Sequence, residues 1–385
     1  MNEQLLQIEA YFEDHRDEMI GFWRELVNFQ ASSREFDRVE ALTRLTQKRL
    51  TEEGLNCRLI PSGKVPVLVA VDGPKRAGKP ILFCGHLDTV FPSGTFPDNP
   101  FDIRDGIAYG PGVIDMKGGV VMMLYIVKAL RHIGFDRNPV KIVLCGDEET
   151  IHDGSTADEI IRQEAEGCLF ALNMEVGRMD NCLSVGRKGA LDTVITVQGK
   201  SSHAGNDYYS GRNAIVEMSH KIAALQSITM QMDCVTVSPN VVQGGAVSNI
   251  IPDECRLVVD SRFTRVADLE CLKEKISQIC AKTYIEGTQT TVDFVNVMPV
   301  FERTEKNLNL LQRANRVAEE YGLPAFGEIV PGGSSDTSYI AMAGVPALCS
   351  CGVQGTGAHT KEECAFVETL FQRGKIFAAM IAEYN

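Results

Sequence analysis

The sequence lacks the features that point to a nucleic-acid or membrane partner. It has no basic run, and its 38 lysines and arginines are outnumbered by 51 aspartates and glutamates, giving a net charge of −13. Such a surface repels nucleic acid and anionic lipid. The longest apolar run, at residues 118–127, is too short to span a bilayer, and the acidic N-terminal stretch lacks the basic start of a signal peptide. We therefore expect a soluble protein that binds neither nucleic acid nor membrane.

The cysteines also lack the spacing of a structural metal site or a disulfide scaffold. None of the 12 forms a C-x-x-C pair, and several lie in apolar, strand-like runs, as Cys84 and Cys145 do. A secreted disulfide scaffold is shorter and rich in loops. We therefore expect reduced thiols, a cytoplasmic location and no zinc site built from cysteine. No G-x-G-x-x-G follows an early strand, which argues against a dinucleotide enzyme.

The order of apolar patterns predicts two domains, as a chain of 385 residues would suggest. Short apolar strands alternate with helical stretches up to about residue 188, which is typical of a sheet with helices on both faces. A β-α-β-β-α-β pattern follows, and then the first pattern resumes. Among the predicted elements are strands at residues 80–87 and 346–352 and helices at residues 115–134, 213–228 and 266–284. We predict an α/β/α domain formed by residues 1–188 and 301–385, with a ferredoxin-like domain inserted at residues 189–300.

Polar side chains that suit a divalent metal follow several predicted strands or the loops beside them: His86, Asp88, Asp115, Glu148, Glu149, Glu175 and His359. Because ligands of open α/β sheets collect at the carboxyl ends of strands, we expect these side chains to share one edge of the sheet. Histidine and carboxylate together suit Zn²⁺ or a similar ion.

The number of candidate ligands suits two metal ions better than one. If Asp88 and Glu148 are set aside and Asp115 bridges, each ion receives one histidine, one glutamate and a share of Asp115. The charge of two Zn²⁺ ions is then balanced by three carboxylates and one bridging hydroxide. Taken alone, Asp115 is equally explained as a helix N-cap and Glu148–Glu149 as a solvated turn. The shared position of all these residues at predicted strand ends favours the metal.

Several motifs give the chain a resemblance to a known family. GHLDTV (85–90), GPGVIDMKGG (110–119), GDEET (146–150), GKSSHAG (199–205) and GGSSDTSY (332–339), together with His359, resemble the zinc exopeptidase family. That family includes glutamate carboxypeptidase, aminoacylase, acetylornithine deacetylase and succinyl-diaminopimelate desuccinylase. Glutamate carboxypeptidase is the most similar branch. The resemblance implies a zinc-exopeptidase-like catalytic domain with an inserted ferredoxin-like lid that forms a homodimer.

The resemblance also implies a role for each matched residue. His86 and Glu175 would bind one ion, Glu149 and His359 the other, and Asp115 both. Asp88 would orient His86, and Glu148 would be the general base. His203 would reach the oxyanion from the partner subunit's lid. The residues expected to contact substrate are Asn249, Arg262, Gly332, Gly333 and Ser334. The peptide bond after Asp115 is expected to be cis.

The implied activity is hydrolysis of the amide bond of a C-terminal amino acid by a hydroxide that bridges two divalent ions. Zinc is expected, with cobalt and manganese as alternatives. Glu175, where some members have aspartate, goes with carboxypeptidases and N-acyl hydrolases. Met298–Pro299 replaces an arginine–proline pair of glutamate carboxypeptidase, so glutamate specificity does not follow. An N-acyl amino acid deacylase with the same site, and a non-catalytic metal-binding scaffold, remain as alternatives.

Overall fold

The computed structural model describes residues 3–384, which divide into two compact units. The larger unit comprises the chain up to Gly186, Arg303–Val330 and the chain from Ser335 onward; the smaller comprises Arg187–Glu302 and Pro331–Ser334. The boundaries expected from the sequence, 188/189 and 300/301, lie two residues from these. Pro331–Ser334 falls in the smaller unit instead of the predicted catalytic part, because Lys188 N donates a hydrogen bond to Pro331 O.

The first part of the larger unit contains five helices and eight strands. The helices are α1 (Glu3–Asp14), α2 (Arg16–Asn28), α3 (Phe36–Glu52), α4 (Gly118–His132) and α5 (Ala157–Ala165). The strands are β1 (Asn56–Ile60), β2 (Val67–Asp72), β3 (Ile81–His86), β4 (Asp102–Arg104), β5 (Ile107–Tyr109), β6 (Val140–Cys145), β7 (Phe170–Asn173) and β8 (Cys182–Ser184).

The smaller unit contains the predicted β-α-β-β-α-β order and, in addition, two strands of two residues each, Ser202–His203 and Ile250–Ile251. Its elements are β9 (Gly189–Gln198), β10 (Ser202–His203), α6 (Ala214–Ser227), β11 (Thr236–Gly244), β12 (Ile250–Ile251), β13 (Glu254–Phe263), α7 (Val266–Ala281) and β14 (Gln289–Met298). Four strands form an antiparallel sheet in the order β11-β13-β9-β14, the arrangement of a ferredoxin-like fold. Alternate residues of β9 are buried, and they pack with apolar residues of both helices.

The part of the larger unit that follows the smaller unit in sequence supplies its remaining helices and strands. Its elements are α8 (Glu305–Glu320), β15 (Gly327–Ile329), α9 (Thr337–Met342), β16 (Ala347–Leu348), β17 (Gly355–Thr356), β18 (Cys364–Phe366) and α10 (Val367–Ala382). Helices α4 and α10 pack against each other, while α5 packs with α9. Within residues 3–384, no helix combines the length and apolarity needed to cross a bilayer.

The main sheet determines where functional side chains meet. Its order is β1-β2-β6-β3-β7-β16, and β6, β3, β7 and β16 run parallel. Every residue of β3 is buried, as expected for a central strand covered on both faces. The carboxyl ends of these strands therefore lie along one edge. The mixed α/β architecture predicted from the sequence is confirmed.

Two elements differ from their predicted extent. The helix predicted from residue 115 begins at Gly118, because Asp115 and Met116 have non-helical backbone angles inside a wide turn, Val113–Lys117. The Asp115–Met116 peptide bond is cis, as expected. The strand predicted over residues 346–352 is paired only at Ala347–Leu348, since Ser350 has a φ of 62° and turns the chain away from the sheet.

Candidate metal centre

The predicted metal ligands lie together at the carboxyl edge of the main sheet. His86 is the last residue of β3, Glu149 lies in the short 3₁₀ turn that follows β6, and Glu175 lies two residues beyond β7. Asp115 lies in the wide turn before α4, and His359 in the loop that joins β17 to β18. The fold thus brings five residues from distant parts of the sequence to one place.

The five side chains form two sets of donor atoms that share Asp115. In the first set, His86 Nε2 lies 3.1 Å from Asp115 Oδ1 and 3.8 Å from Glu175 Oε1. In the second, His359 Nε2 lies 3.2 Å from Asp115 Oδ2 and 3.0 Å from Glu149 Oε2. The two oxygens of one carboxylate therefore face two different histidine–glutamate pairs.

These separations suit divalent metal ions. The donor atoms of each set lie within 4.8 Å of one another. Zinc–nitrogen and zinc–oxygen bonds of about 2.0–2.2 Å place two tetrahedral ligands roughly 3.4 Å apart, close to the spacings of each set. Imidazole and carboxylate are also ligands that zinc accepts. The residues present therefore fit two ions.

Asp88 fixes the orientation of His86. Nδ1 of His86 lies 3.1 Å from the main-chain oxygen of Asp88 and 3.3 Å from its Oδ1, which leaves Nε2 for the metal. The other Asp88 oxygen, Oδ2, accepts a hydrogen bond from Glu149 N at 3.2 Å. Asp88 is fully buried and connects a residue of the first donor set to the backbone of a residue of the second.

Both imidazoles are flanked by carboxylates that favour their charged form. Burial works against charge on His86, but hydrogen bonds to Asp115 and Asp88 raise its pKa well above the ordinary value. Hydrogen bonds to Asp115 and Glu149 raise the pKa of His359 to about 10. Burial acts to raise the pKa of Asp115, yet its bonds to both imidazoles lower it. The cluster thus attracts positive charge strongly.

Glu148 lies in the 3₁₀ turn Glu148–Thr150, directly before the ligand candidate Glu149. Part of the residue is open to solvent. Burial of its carboxyl and the negative charge of Glu175 raise the pKa of Glu148 well above the ordinary value. A carboxyl whose pKa is raised in this way holds a proton more readily than an ordinary glutamate, which suits a general acid–base group.

The other predicted site residues lie in the smaller unit. His203 and Asn249 are neighbours there, because β10 pairs with β12 and Ala204 N donates to Asn249 O at 2.9 Å. The exposed His203 ring accepts hydrogen bonds from the backbone N–H groups of Gly205 and Asn206 through Nδ1, both at 3.1 Å. Its Nε2 is therefore the nitrogen that carries the proton and can donate.

Arg262 and the glycine-rich turn have partners of their own in this unit. Arg262 forms a two-point ion pair with Asp260, with Nη2 2.6 Å from Oδ2 and Nε 3.0 Å from Oδ1. Gly332, Gly333 and Ser334 form an open turn, in which Gly333 O accepts a hydrogen bond from Arg187 Nη1 at 3.1 Å. Arg187 was missed by sequence reasoning, since a lone arginine before a strand gives no signal.

A second buried polar cluster, also missed, consists of Asp147, His152 and Asp336. His152 Nδ1 lies 2.8 Å from Asp147 Oδ1, and Nε2 lies 2.8 Å from Asp336 Oδ1. Burial would lower the pKa of His152, but the charge of Asp336 and hydrogen bonds to both carboxylates raise it to about 11. Cys145, Asp147 and His152 are close enough to hold a metal ion. Because each ring nitrogen already contacts a carboxylate, we assign the cluster to an ion-paired network.

Glu363 is another buried acid that the sequence analysis did not select. Its carboxylate contacts the backbone of the turn that carries Asp115, and burial raises its pKa to about 7. Only its position could have pointed to it: Glu363 lies four residues after His359 and directly before an apolar strand.

Comparison with known proteins places this arrangement in a family. The model of peptidase family M20/M25/M40 matches residues 82–383, which is most of the chain. The chain belongs to this family. The resemblance seen in the sequence motifs is thereby confirmed, and the protein is a metal-dependent peptidase or amidohydrolase.

Curated relatives of the chain include enzymes of two kinds. Carboxypeptidase G2 of Pseudomonas sp. (strain RS-16) is 27% identical over 375 residues, covering 96% of this chain and 90% of the relative. Succinyl-diaminopimelate desuccinylase of Legionella pneumophila (strain Lens) is 26% identical over 340 residues, covering 83% of this chain and 87% of the relative. Both names describe hydrolysis of an amide bond, which agrees with the site.

Solved structures share the fold. An aminopeptidase PepT from Bacillus cereus ATCC 10987 superposes with a TM-score of 0.80 at 21% identity, covering 95% of this chain and 98% of that one. The M20 family metallo-carboxypeptidase Sso-CP2 from Sulfolobus solfataricus has a TM-score of 0.68 at 14% identity, and 99% of each chain is covered. At these identities the likeness concerns the fold alone.

Proposed function

We propose that the protein is a two-metal amidohydrolase that releases a C-terminal amino acid from a small peptide or an acylated amino acid. The observation that carries the proposal is the position of Asp115, whose two oxygens each lie beside a separate histidine–glutamate pair. A carboxylate in this position suits a bridging ligand between two divalent ions. When bound, the ions supply Lewis-acid polarisation of the amide carbonyl and lower the pKa of a water molecule.

The donor set favours zinc. His86 and Glu175 would hold one ion, Glu149 and His359 would hold the other, and Asp115 would contact both. Imidazole nitrogen and carboxylate oxygen are ordinary zinc ligands, and they also suit cobalt and manganese, which remain as alternatives.

Glu148 is the residue that we assign to proton transfer. It takes a proton from the attacking water and passes that proton to the leaving nitrogen of the amide. Its place beside Glu149 and the raised pKa of its carboxyl support the assignment. Asp88 acts on the reaction through His86, whose ring it orients.

Carboxypeptidase action is the first choice for the reaction, and the carboxypeptidase G2 relative supports it. Glu175 does not decide between the two reactions, because the resemblance associates glutamate at its position with carboxypeptidases and N-acyl hydrolases alike. Deacylation of N-acyl amino acids is the second candidate, because the desuccinylase relative acts, by its name, on an acylated amino acid. Both reactions release an amine that carries a carboxylate. In either case Asn249, Arg262 and the turn Gly332–Ser334 are proposed to contact substrate.

We assign dimer formation and substrate closure to the smaller unit, at residues 189–300. Strand β11 is an edge of its sheet, with Val241 and Val242 46% and 57% exposed. An exposed apolar edge is a ready pairing surface, which supports a homodimer. In such a dimer we place His203 at the metal centre of the other subunit, where its Nε2 donates to the oxyanion. All 12 cysteines are free thiols, which supports a cytoplasmic location.

The proposal is tested with protein freed of metal by chelation and then reloaded with Zn²⁺, Co²⁺ or Mn²⁺. The reloaded protein is assayed on dipeptides, folyl-glutamate-type amides and N-acetyl amino acids. We expect activity to return as about two ions per chain are bound. Hydrolysis of N-acetyl amino acids alone would favour the deacylase, and metal binding without hydrolysis would favour the scaffold. A folded protein that stays metal-free in excess Zn²⁺ contradicts the metal centre itself.

A further inference from the structure

Glu363 is buried beside the metal centre but is not among its ligands. Only 1% of the residue is exposed. A buried carboxylate is costly unless hydrogen bonds or charges compensate it. The groups that compensate Glu363 show what the residue holds in place.

Three backbone N–H groups of one short segment donate to the Glu363 carboxylate. Gly112 N donates to Oε2 at 2.9 Å, while Ile114 N and Asp115 N donate to Oε1 at 2.9 Å and 3.2 Å. The last of these donors belongs to the residue whose carboxylate lies between the two donor sets. One side chain therefore accepts the backbone N–H of the residue that the two donor sets share, together with two N–H groups just before it.

The segment has few main-chain hydrogen bonds of its own: Val113 N donates to Gly110 O at 3.1 Å, and Lys117 N donates to Gly112 O at 2.9 Å. Gly112 has a φ of 73°, and Asp115 departs from helical angles within the wide turn. A side chain at residue 112 would also collide with Thr89, since a Cβ placed there lies 2.7 Å from Cγ2. The segment thus depends on Glu363 for acceptors that a helix or sheet would supply.

The backbone of Glu363 lies in the same loop as His359, which belongs to the second donor set. Glu363 follows His359 in the loop between β17 and β18, and its N–H donates to Thr360 O at 3.2 Å. His359 has a φ of 64°, an uncommon backbone conformation for a residue with a side chain. Glu363 therefore connects the loop of His359 to the turn of Asp115.

Lys117 supplies positive charge near this connection. It is fully buried, its Nζ donates to Phe29 O at 3.0 Å, and it interacts electrostatically with Glu363 and Asp88. The negative charge of Glu363 is thus partly balanced by Lys117, which lies in the turn that carries Asp115. The three N–H donors and this positive charge favour the ionised form of Glu363, whereas burial disfavours it.

We propose that Glu363 is a positioning residue of the metal centre, which sets the spacing of Asp115 between the two donor sets and links that spacing to His359. The inference rests on the proposed two-metal function. Partners that orient metal ligands typically change metal affinity by ten- to a hundredfold when they are replaced. Because Asp115 belongs to both sets, both ions are affected.

Glu363→Gln tests the proposal with little change of size. The amide places an NH₂ group against backbone N–H donors, so at least one of the three hydrogen bonds becomes a repulsive contact. Titration of the metal-free full chain with Co²⁺, followed by visible absorption, should show affinity lowered by about ten- to a hundredfold and an altered spectrum. Glu362→Gln is the matched control, because Glu362 is exposed, and it should titrate like the wild type.

The outcomes separate the inference from the function on which it rests. Wild-type protein that binds no Co²⁺ overturns the two-metal proposal. Wild type that binds two ions, with Glu363→Gln showing the same affinity and spectrum, overturns the role of Glu363 alone. A lowered melting temperature with unchanged Co²⁺ affinity also overturns it, since that result marks a merely structural residue.

Hydrogen exchange on the wild type covers the case in which Glu363→Gln does not fold. The amides of Ile114 and Asp115 should be protected in the metal-free protein, because both donate to a buried acceptor. Exchange at the rate of exposed loop amides would overturn the proposal. Glu363→Asp, which is shorter by one methylene, should fall between the wild type and Glu363→Gln in Co²⁺ affinity.

Discussion

Glu148 and Glu149 are adjacent in the chain but have different surroundings. Glu149 Oε2 lies 3.0 Å from His359 Nε2, while Glu148 has its pKa raised by burial and by Glu175. We expect Glu148→Gln to keep both metal ions and to lower turnover by about 10²–10⁴-fold, the usual contribution of a general acid–base group. Glu149→Gln should instead lose metal. Elemental analysis and kcat at saturating substrate measure the two effects.

Metal content and turnover of the two variants together distinguish a general base from a metal ligand. If Glu148→Gln turns over substrate at a near-normal rate with full metal content, another group moves the proton. If both variants lose metal to the same extent, Glu148 is a ligand and not a base.

His152 should give folding stability a pH dependence of defined sign. Its folded-state pKa of about 11 lies above the value of about 6.5 in an unfolded chain. The stabilisation from its two ion pairs is therefore complete below about pH 6.5 and declines as pH rises toward 11. The difference in unfolding free energy between wild type and His152→Gln should shrink over that range.

Urea unfolding at pH 6, 8 and 10 measures this difference. His132→Gln is the control, because His132 is exposed and its loss removes no buried charge. A difference that stays constant from pH 6 to pH 10 would mean that the His152 ring is neutral in the folded protein.

The candidate metal ligands could be predicted only as a set, and the residues that support them could not be predicted. His86, Glu149 and Glu175 follow apolar strands, and that position is visible in the sequence. Glu363 acts by accepting backbone N–H groups from residues about 250 positions away, and His152 by meeting Asp336. Such contacts form only when distant parts of the chain fold together, and no local sequence pattern indicates them.

At the scale of elements, a buried ion pair fixes the connection between α7 and β14. Lys221 and Glu217 of α6 are fully buried and lie 2.9 Å apart. Lys221 Nζ donates to the main-chain oxygens of Cys280 and Lys282, and Glu217 accepts from the N–H groups of Tyr284 and Ile285. The pair thus stabilises a loop that has little regular structure of its own.

Lys221→Met should cost about 3–5 kcal/mol, because it leaves the Glu217 charge buried without its partner. Chemical unfolding, together with hydrogen exchange at the Tyr284 and Ile285 amides, measures the loss. The exposed pair Lys273–Glu270 gives the control, and Lys273→Met should change stability by about 0.5 kcal/mol or less. If Glu217→Gln added to Lys221→Met restores no stability, the charge is not the cause.

Strongly patterned elements could be predicted, and irregular ones could not. The bounds of strand β3 and of the helices of the smaller unit were predicted to within a few residues. Burial of these elements imposes a regular spacing of apolar residues on their sequences. The wide turn Val113–Lys117 was missed, since its sequence continues smoothly into the apolar residues of α4. No local pattern indicates that the strand predicted over residues 346–352 is interrupted by the positive φ of Ser350.

For the whole molecule, the proposed dimer predicts that two inactive chains restore each other. We place His203 at the metal centre of the partner subunit, so Glu148 and His203 of one site come from different chains. Mixed dimers of His203→Ala and Glu148→Gln chains have one site with both changes and one with neither. After dissociation and random reassociation, about a quarter of wild-type activity should reappear.

Ultracentrifugation before and after mixing verifies that mixed dimers form. Each variant reassociated with itself is the control and should stay inactive. Mixed dimers without recovered activity, or a fully active monomer, would refute the shared site while leaving the metal chemistry unaffected.

The long segment of the smaller unit, Arg187–Glu302, is closed by a pair of residues near its two ends. Arg187 N donates to Phe301 O at 2.7 Å, and Phe301 N donates to Arg187 O at 3.1 Å. The chain therefore enters and leaves this segment at two hydrogen-bonded neighbours. An exchange of residues 187–301 between relatives would join the chain at only these two adjacent points. Such an exchange would replace His203, Asn249 and Arg262 together and leave the predicted metal ligands of the larger unit in place.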